Sequence, residues 1–228
     1  CCDMNEKFFD LKKEKQDRMI NAALKVFALN GYRHASTDDI VREAAISKGL
    51  LFHYFENKLG VYAFVYDYSV RYLLLELSTA VDAKETDLFT LMQQVETGKM
   101  HAMCGYPYLQ PFLNRAQAEN VNEALVAVEE RKQQMEEAYE NIYARADLGK
   151  YAAAEDVVKL RKMMELTIKG LMNERILEDA FQPEMLYEEI LEYLQLSRRL
   201  AERSGQPSDE ELSLIHISEP TRLLSTSY

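Results

Sequence analysis

The residues with the most specific chemistry lie between Ser36 and Lys58, in the stretch STDDIVREAAISKGLLFHYFENK. Ser36 and Thr37 are helix-capping residues, and Asp38 and Asp39 follow where the positive end of a helix dipole favours acids. Ile40, Val41 and Ala44 supply an apolar side, Ala45 and Ile46 make a short break, and Ser47 caps a second short helix predicted over 48–55. Two short helices joined by a tight turn, the second capped, are what docking in the major groove of duplex DNA requires. Lys48 opens the second helix, where side chains reach base edges, and Gly49 lets another backbone come close. Ile46, Leu51 and Phe55 supply the inward face, which leaves Leu50 and Phe52 outward, able to meet thymine methyl groups. His53 is open to a DNA contact or to a plain surface role.

The order of these residues is more specific than that outline. The cap pair, Ile40, Ala44, then Ile46-Ser47-Lys48-Gly49, Phe52-His53-Tyr54-Phe55 and Lys58 together resemble the TetR family of bacterial transcriptional regulators. The likeness runs over residues 16–58; beyond that it is one of architecture. It implies DNA contacts at Thr37, Lys48, Gly49, Phe52, Tyr54 and Lys58, with Tyr54 and Lys58 on phosphate oxygens, contacts that position a protein without reading sequence; Ser36, Ser47, Leu50 and His53 complete the expected DNA-binding set. It also implies a second helical domain with an effector pocket, and a homodimer through the last two helices with two readers on a near-palindromic operator. The family usually has glycine in the turn where this chain has Ala45, which is expected to keep ordinary helical angles.

Other chemistries find little support. There is no phosphate-cradling glycine loop, no HExxH and no CxxC. His101 and Cys104 have metal-ligand spacing, but no third ligand lies within sequence reach, and the pair reads as pocket or core. With four histidines, no Ser-His-Asp constellation can be argued from spacing. The chain therefore reads as non-enzymatic, with no metal and no cofactor; a helical enzyme is the rival from another class. The net charge of -11 argues against a protein that coats nucleic acid generally. The acidity is uneven: ten Lys/Arg and nine Asp/Glu precede Gly60, out of 27 and 38 in the chain. The acidic remainder should repel DNA and leave only the reader to approach it.

The elements that must position these residues read as all-α: an N-terminal three-helix unit over 5–56 joined to a larger helical effector-binding and dimerisation domain over 57–205. A first helix is predicted over 16–30, with Ile20, Ala23, Leu24 and Phe27 on one face and Gly31 as its stop. Lys12, Lys13 and Lys15 before it read as a solvated helix start or as a basic arm. Asn57 caps a fourth helix running to 78 or 79, with Val61, Phe64, Val65, Tyr68, Tyr72 and Leu75 on one stripe and Tyr62, Tyr66 and Leu73 to the side. Further helices are predicted over 87–103, 111–118, 122–145, 153–177 and 183–202. Gly170, inside one of them, costs stability unless another backbone packs against it.

Residues 206–211 read as a disordered native end. Residues 212–228 begin with LSLIHISEPTR, which resembles a translated sequencing-library adapter and is set aside as non-native. Cys1-Cys2-Asp3 reads as an extension before a native start at Met4, with no signal peptide ahead of the first helix. With only Cys104 inside the folded region, a reducing cytoplasm is expected. No apolar run is long enough to span a bilayer.

The body is rich in Met and Tyr, with 10 and 14 of them. Buried tyrosines need partners for their hydroxyls, and a partly polar cavity would supply them. The expected pocket residues are Tyr62, Tyr66, Met92, His101, Met103, Tyr106, Phe112, Tyr139 and Tyr143. A mostly apolar ligand, aromatic or cationic, would suit them. The expected function is a repressor released from operator DNA by such an effector. The alternative is a DNA-binding protein of the same fold under control of a protein partner, which a cavity sealed by packed side chains would favour. Signalling is expected through the helix that starts at Asn57, as one rigid element touching both DNA and pocket.

Overall fold

The computed structural model describes residues 7–151, 153–177 and 181–203; the expected native end, the adapter-like tail and the N-terminal extension lie outside them. The first helix, α1 (Lys13–His34), begins a turn before the predicted start, where Gln16 donates its amide N–H groups to the Phe9 and Leu11 carbonyls at 2.9 and 2.6 Å. Lys13 belongs to this helix, pairs with Asp17 at 2.8 Å and donates to the Tyr106 hydroxyl at 3.2 Å, so it serves the fold rather than a free arm. Gly31, at φ 66° and ψ 177°, breaks the helix as expected, and one further turn follows it. Only glycine takes that backbone region without strain.

The next two helices follow the predicted caps. In α2 (Thr37–Ala44), Ser36 Oγ accepts from the Asp38 N–H at 3.1 Å. In α3 (Lys48–Phe55), Ser47 Oγ accepts from the Leu50 N–H at 3.2 Å. The turn between them departs from expectation: Ala45 is left-handed, at φ 52° and ψ 50°. It ends α2 where glycine would sit without its Cβ penalty, and the packing of Ile40, Ala44 and Leu51 holds it there.

Asn57 caps α4 (Lys58–Ala80) by accepting from the Gly60 N–H at 2.9 Å. Then come α5 (Leu88–Gly105), α6 (Leu109–Gln117), α7 (Asn122–Tyr143), α8 (Ala154–Arg175) and α9 (Pro183–Arg203), with a short 3-10 turn over Leu148–Lys150. The predicted stripe of α4 is rotated in the fold: Tyr62, Tyr66 and Leu73 are fully buried, while Leu75 is 62% exposed. Helical spacing gives the face but not its centre, and α4 packs against α1, α5, α6 and α7 at once.

Two cores result. The first joins α1, α2 and α3 to α4, α6 and the first half of α7, and so runs straight across the expected boundary at residues 56 and 57. The second is built from α5, α8 and α9, with Phe89, Met92, Met103, Met164, Ile190 and Leu194 among its residues. Asp87 ties that second unit together. It caps α5 through the Thr90 N–H at 2.8 Å and pairs with Lys150 at 2.6 Å and with Arg198 of α9 at 2.5 Å.

Candidate DNA-reading face and effector cavity

Leu51 and Phe55 anchor α3 in the first core, and its other side faces solvent. Ser47, Lys48, Gly49 and His53 are exposed there, and Leu50 and Phe52 are half-buried. A Cβ built on Gly49 would meet nothing, so the backbone at the start of α3 is open to close approach. The Lys48 ammonium lies 2.8 Å from Asp38 of α2 and 5.9 Å from the centre of the Phe52 ring. The pair is solvated, and a phosphate or a base edge can compete for the lysine. Ser36 and Thr37 sit half-buried at the start of α2. Tyr54 is half-buried, its ring edge-on to Phe8 at 5.8 Å and to His53 at 4.9 Å.

Lys58 has a different environment from the one its place in the motif suggests. Its ammonium donates to the carbonyls of Tyr32 at 2.9 Å and Ala35 at 3.3 Å, with the Arg33 carbonyl at 3.5 Å, and lies 4.5 Å from the centre of the Tyr32 ring. An ammonium has three donors, and all three point at the last turn of α1, where the helix dipole favours a cation. Lys58 thus clamps the end of α1 to the start of α4.

The end of α1 is also held by the body. Glu119 accepts from the Tyr32 N–H at 2.9 Å, Glu123 accepts from the Tyr32 hydroxyl at 2.6 Å, and Arg115 of α6 lies against Gly31. The predicted aromatic pocket dissolves into this packing. Tyr62, 1% exposed, is edge-on to Phe27 at 5.0 Å and to Phe112 at 5.5 Å, and Tyr66 packs on Phe112 at 6.1 Å. Tyr106 donates to Asp17 at 2.6 Å and shares a 2.6 Å bond with the Tyr68 hydroxyl. Tyr62, Tyr106 and Phe112 therefore join reader to body, and Tyr66 does so while edging an open groove with Phe64, Asp67 and Arg131. Met103 is buried in the second core, and His101 is exposed, 3.9 Å from a Glu76 carboxylate. The Cys104 thiol faces Glu184 at 3.3 Å, so His101 and Cys104 do not converge.

A cavity of about 210 Å³ does exist between α5, α6, α7 and α8, open to solvent on one side. Met92, Tyr139 and Tyr143 of the expected set line it. The others were missed: Glu96 and Lys99 of α5, Gln110, Asn114 and Gln117 of α6, Met135 of α7, and Arg161, Glu165, Ile168, Lys169 and Met172 of α8. A signal was present. Met92, Glu96, Lys99 and Met103 are spaced 4, 3 and 4, so two charges interrupt an apolar helix face, and Gln110, Asn114 and Gln117 follow the same spacing.

The cavity is polar. Glu96, 5% exposed, pairs with Lys99 at 2.7 Å, and the Lys99 ammonium lies 5.6 Å from the centre of the Tyr139 ring. Burial alone would lower the lysine's pKa, but the Glu96 carboxylate together with the Tyr139 and Tyr143 phenols outweighs it and holds the group above its ordinary value, charged. Burial raises the Tyr139 and Tyr143 phenols, which stay neutral. The Arg161 guanidinium stacks 3.9 Å from the centre of the Tyr143 ring and donates to Glu165 at 3.2 Å. Gln110 donates to Asn114 at 2.9 Å, but its own amide oxygen has no protein partner, and neither has the buried Tyr139 hydroxyl.

Residues 19–63, from within α1 into α4, match the family described as bacterial regulatory proteins, tetR family. An uncharacterized HTH-type transcriptional regulator of Bacillus subtilis (strain 168), YuxN, is 36% identical over 78 residues, 32% of this chain and 26% of that protein. Another, TtgW of Pseudomonas putida, is 41% identical over 49 residues, 22% of this chain and 37% of that one. The matches thus span about a quarter and over a third of these relatives. In fold, the chain is similar to a TetR family transcriptional regulator from Chloroflexus aurantiacus J-10-FL, with TM-score 0.52 and 23% identity over 88% of this chain and 94% of that one. It is also similar to a putative tetR family regulator from Shewanella sp. PV-4, with TM-score 0.51 and 16% identity over 85% and 98%. The all-helical architecture is similar to that of these two solved structures, and the tetR family match falls on residues 19–63, which hold α2 and α3.

Proposed function

We propose that this protein is a transcriptional repressor that binds a near-palindromic operator in duplex DNA as a homodimer and leaves it when a small effector fills the cavity. The observation that carries the DNA-binding reading is the outward side of α3. There Lys48, the open backbone at Gly49 and His53 stand clear on a helix held from behind by Leu51 and Phe55. Ser36, Thr37, Ser47, Leu50, Phe52 and Tyr54 flank that surface; Lys58 contributes by holding α1 against α4. Such a regulator works beside the chromosome in the cytoplasm. Among the described residues no helix is long and apolar enough to cross a membrane.

The dimer reading rests on apolar side chains left uncovered on the last two helices. Val158, Met163 and Leu166 of α8 and Met185, Tyr193 and Leu196 of α9 are all exposed. Gly170 is exposed too, and among the described residues nothing lies within 4 Å of where its Cβ would be, which leaves room for a close approach by a second copy. The effector reading is favoured over control by a protein partner because space lies between α5 and α8 instead of packed side chains. The signal route differs from the expected one, since no α4 residue lines the cavity. One face of α6 carries Gln110, Asn114 and Gln117 toward the cavity, and Arg115 meets Gly31 at the end of α1. A ligand that binds one position of α6 better shifts α1, and through Lys58 the start of α4. The coupling is reciprocal between ligand and DNA.

Selection from random DNA duplexes with the full chain tests the reading. The expected product is a sequence with two half-sites about one helical turn apart, or a multiple of that, and binding to it is weakened by Lys48→Ala. Retention without any enriched sequence would overturn DNA reading, and a monodisperse monomer in sedimentation at micromolar protein would overturn the dimer.

A further inference from the structure

The charges that line the cavity are not balanced. Lys99, Arg161 and Lys169 face it with Glu96 and Glu165. Two of the cations have carboxylate partners: Lys99 pairs with Glu96, and Arg161 with Glu165. Glu165 is shared further with Lys162, at 3.6 Å. Lys169 differs. Its ammonium donates to the neutral Gln117 amide oxygen at 2.9 Å in a solvent-exposed contact, so it stands at the rim of the cavity with no carboxylate partner among the described residues. In a chain with net charge -11, a cavity with one cation in excess is a local reversal of sign.

The hydrogen-bonding groups point to the rest of the ligand. Gln110, 6% exposed, has one end of its amide on Asn114 and leaves its Oε1 without a protein partner. An amide oxygen accepts and does not donate, so it calls for an N–H or O–H. The Tyr139 hydroxyl, also buried and without a protein partner, can both give and accept. The Asn114 amide N–H is directed at the Met172 sulfur at 3.2 Å, a weak acceptor that an oxygen would displace. A buried polar group left unmatched costs about 1–3 kcal/mol, so a ligand that completes these groups gains in proportion. Between the polar positions lie Met92, Met135, Ile168 and Met172, which suit a short apolar middle. The size is limited as well. At about 210 Å³ the cavity holds roughly seven waters, and it falls below the usual range of drug-sized sites.

We propose that the cavity binds a small amphipathic monoanion: an acid whose carboxylate pairs with Lys169 and whose other end presents a hydroxyl or N–H to Gln110 Oε1 and the Tyr139 hydroxyl. The proposal rests on the reading of this cavity as the effector site, and it replaces the apolar or cationic ligand that the tyrosines and methionines suggested in sequence. A ligand cation at this site would be repelled by Lys169 at the rim, and a purely apolar ligand would leave Gln110 and Tyr139 unmatched in a drier space.

The test is calorimetric titration of the full chain with three phenols of similar size that differ in charge: 4-hydroxybenzoate, 4-hydroxybenzyl alcohol and 4-hydroxybenzylamine. The acid is expected to bind at least about tenfold more tightly than the other two, in line with one hydrogen bond to a charged group. Lys169→Gln should remove most of that preference. Gln110→Leu, a change that keeps the side chain's bulk, should weaken the acid by about tenfold while thermal unfolding shows the fold intact. Equal or tighter binding of the amine or the alcohol, an acid affinity indifferent to Lys169→Gln, or no binding of any probe at millimolar concentration would each overturn the proposal. Repeating the titration on the selected operator duplex separates it from the effector reading. If the acid binds selectively but leaves operator affinity unchanged, the monoanion site stands and the effector reading falls. If the amine releases the operator, the effector reading stands and the monoanion falls.

Discussion

In the reader, Ser36, Ser47 and Asn57 each place a side-chain oxygen on the backbone N–H that the following helix leaves open, and apolar rings fill the space behind α3. In the cavity, an amide oxygen and a phenol hydroxyl lie buried with no protein partner, beside a carboxylate paired with a lysine. Both regions are helical and both carry tyrosines, yet they treat polar atoms in opposite ways. A unit that must present one fixed surface satisfies its polar groups internally and packs tightly. The proposed ligand site keeps hydrogen-bonding capacity in reserve, at a cost in the stability of the empty protein. The tyrosines divide on the same line: Tyr62 and Tyr66 are structural, and Tyr139 and Tyr143 line the site.

Substitutions can break or sharpen that contrast. The largest effect is expected from Tyr62→Ala. Removing a ring packed between Phe27, Tyr32 and Phe112 should cost about 3–5 kcal/mol. Tyr139→Phe, which deletes only an unmatched hydroxyl, should leave the empty protein within about 0.5 kcal/mol of wild type or slightly more stable. Denaturant unfolding of the two variants checks the pair; a large loss from Tyr139→Phe would place Tyr139 with the structural tyrosines.

Gly31→Ala comes next. The position combines a positive φ with an extended ψ, and an added Cβ would meet Arg115 Nε at 3.1 Å. A loss of about 1–3 kcal/mol is expected, with weaker operator binding, because Gly31 sits where α1 meets α6. Unchanged stability would mean that α1 ends without strain there.

Lys58→Met separates the clamp from a phosphate contact. As a clamp on the last turn of α1, Lys58 should take about 1–2 kcal/mol of stability with it. The salt dependence of operator binding should stay as in wild type. A phosphate contact would instead lower the slope of log affinity against log salt by about one.

Ala45→Gly works in the opposite direction. Because Ala45 is left-handed, glycine should stabilise the reader by about 1 kcal/mol, read as a higher denaturant midpoint. A lower midpoint would show that the turn carries no Cβ penalty.

The smallest effect is confined to acid. Burial favours the protonated form of Asp87, but its bonds to Lys150 and Thr90 and the charge of Arg198 outweigh this and lower its pKa to about 2. A carboxylate whose folded pKa is depressed stabilises the fold above its unfolded pKa of about 3.9 and loses that contribution as pH falls toward about 2. Melting curves should therefore show wild type more stable than Asp87→Asn above about pH 4, with the gap closing below it. A gap independent of pH would mean that Asp87 acts through shape alone.

Much of the reader was legible in the sequence, because its determinants are local. Ser36, Ser47 and Asn57 act within three residues of themselves, and the pattern Ile40, Ala44, Leu51, Phe55 needs only helical periodicity. The all-helical architecture and the order of helices followed from the same periodicities and from breaks such as Gly105-Tyr106-Pro107. Tertiary structure alone decided what the polar and aromatic residues of the body do. Whether Tyr66 lies in a core or a cavity depends on Phe112, far along the chain, and whether Lys58 reaches DNA or a carbonyl depends on where α1 ends. Glu96 and Lys99 are, in sequence, two charges on an apolar helix face, and α6, α7 and α8 close around them in the fold. A charge on a helix face carries no mark of its burial; that is set by which other helices pack against the face, and those contacts span distances that periodicity cannot see.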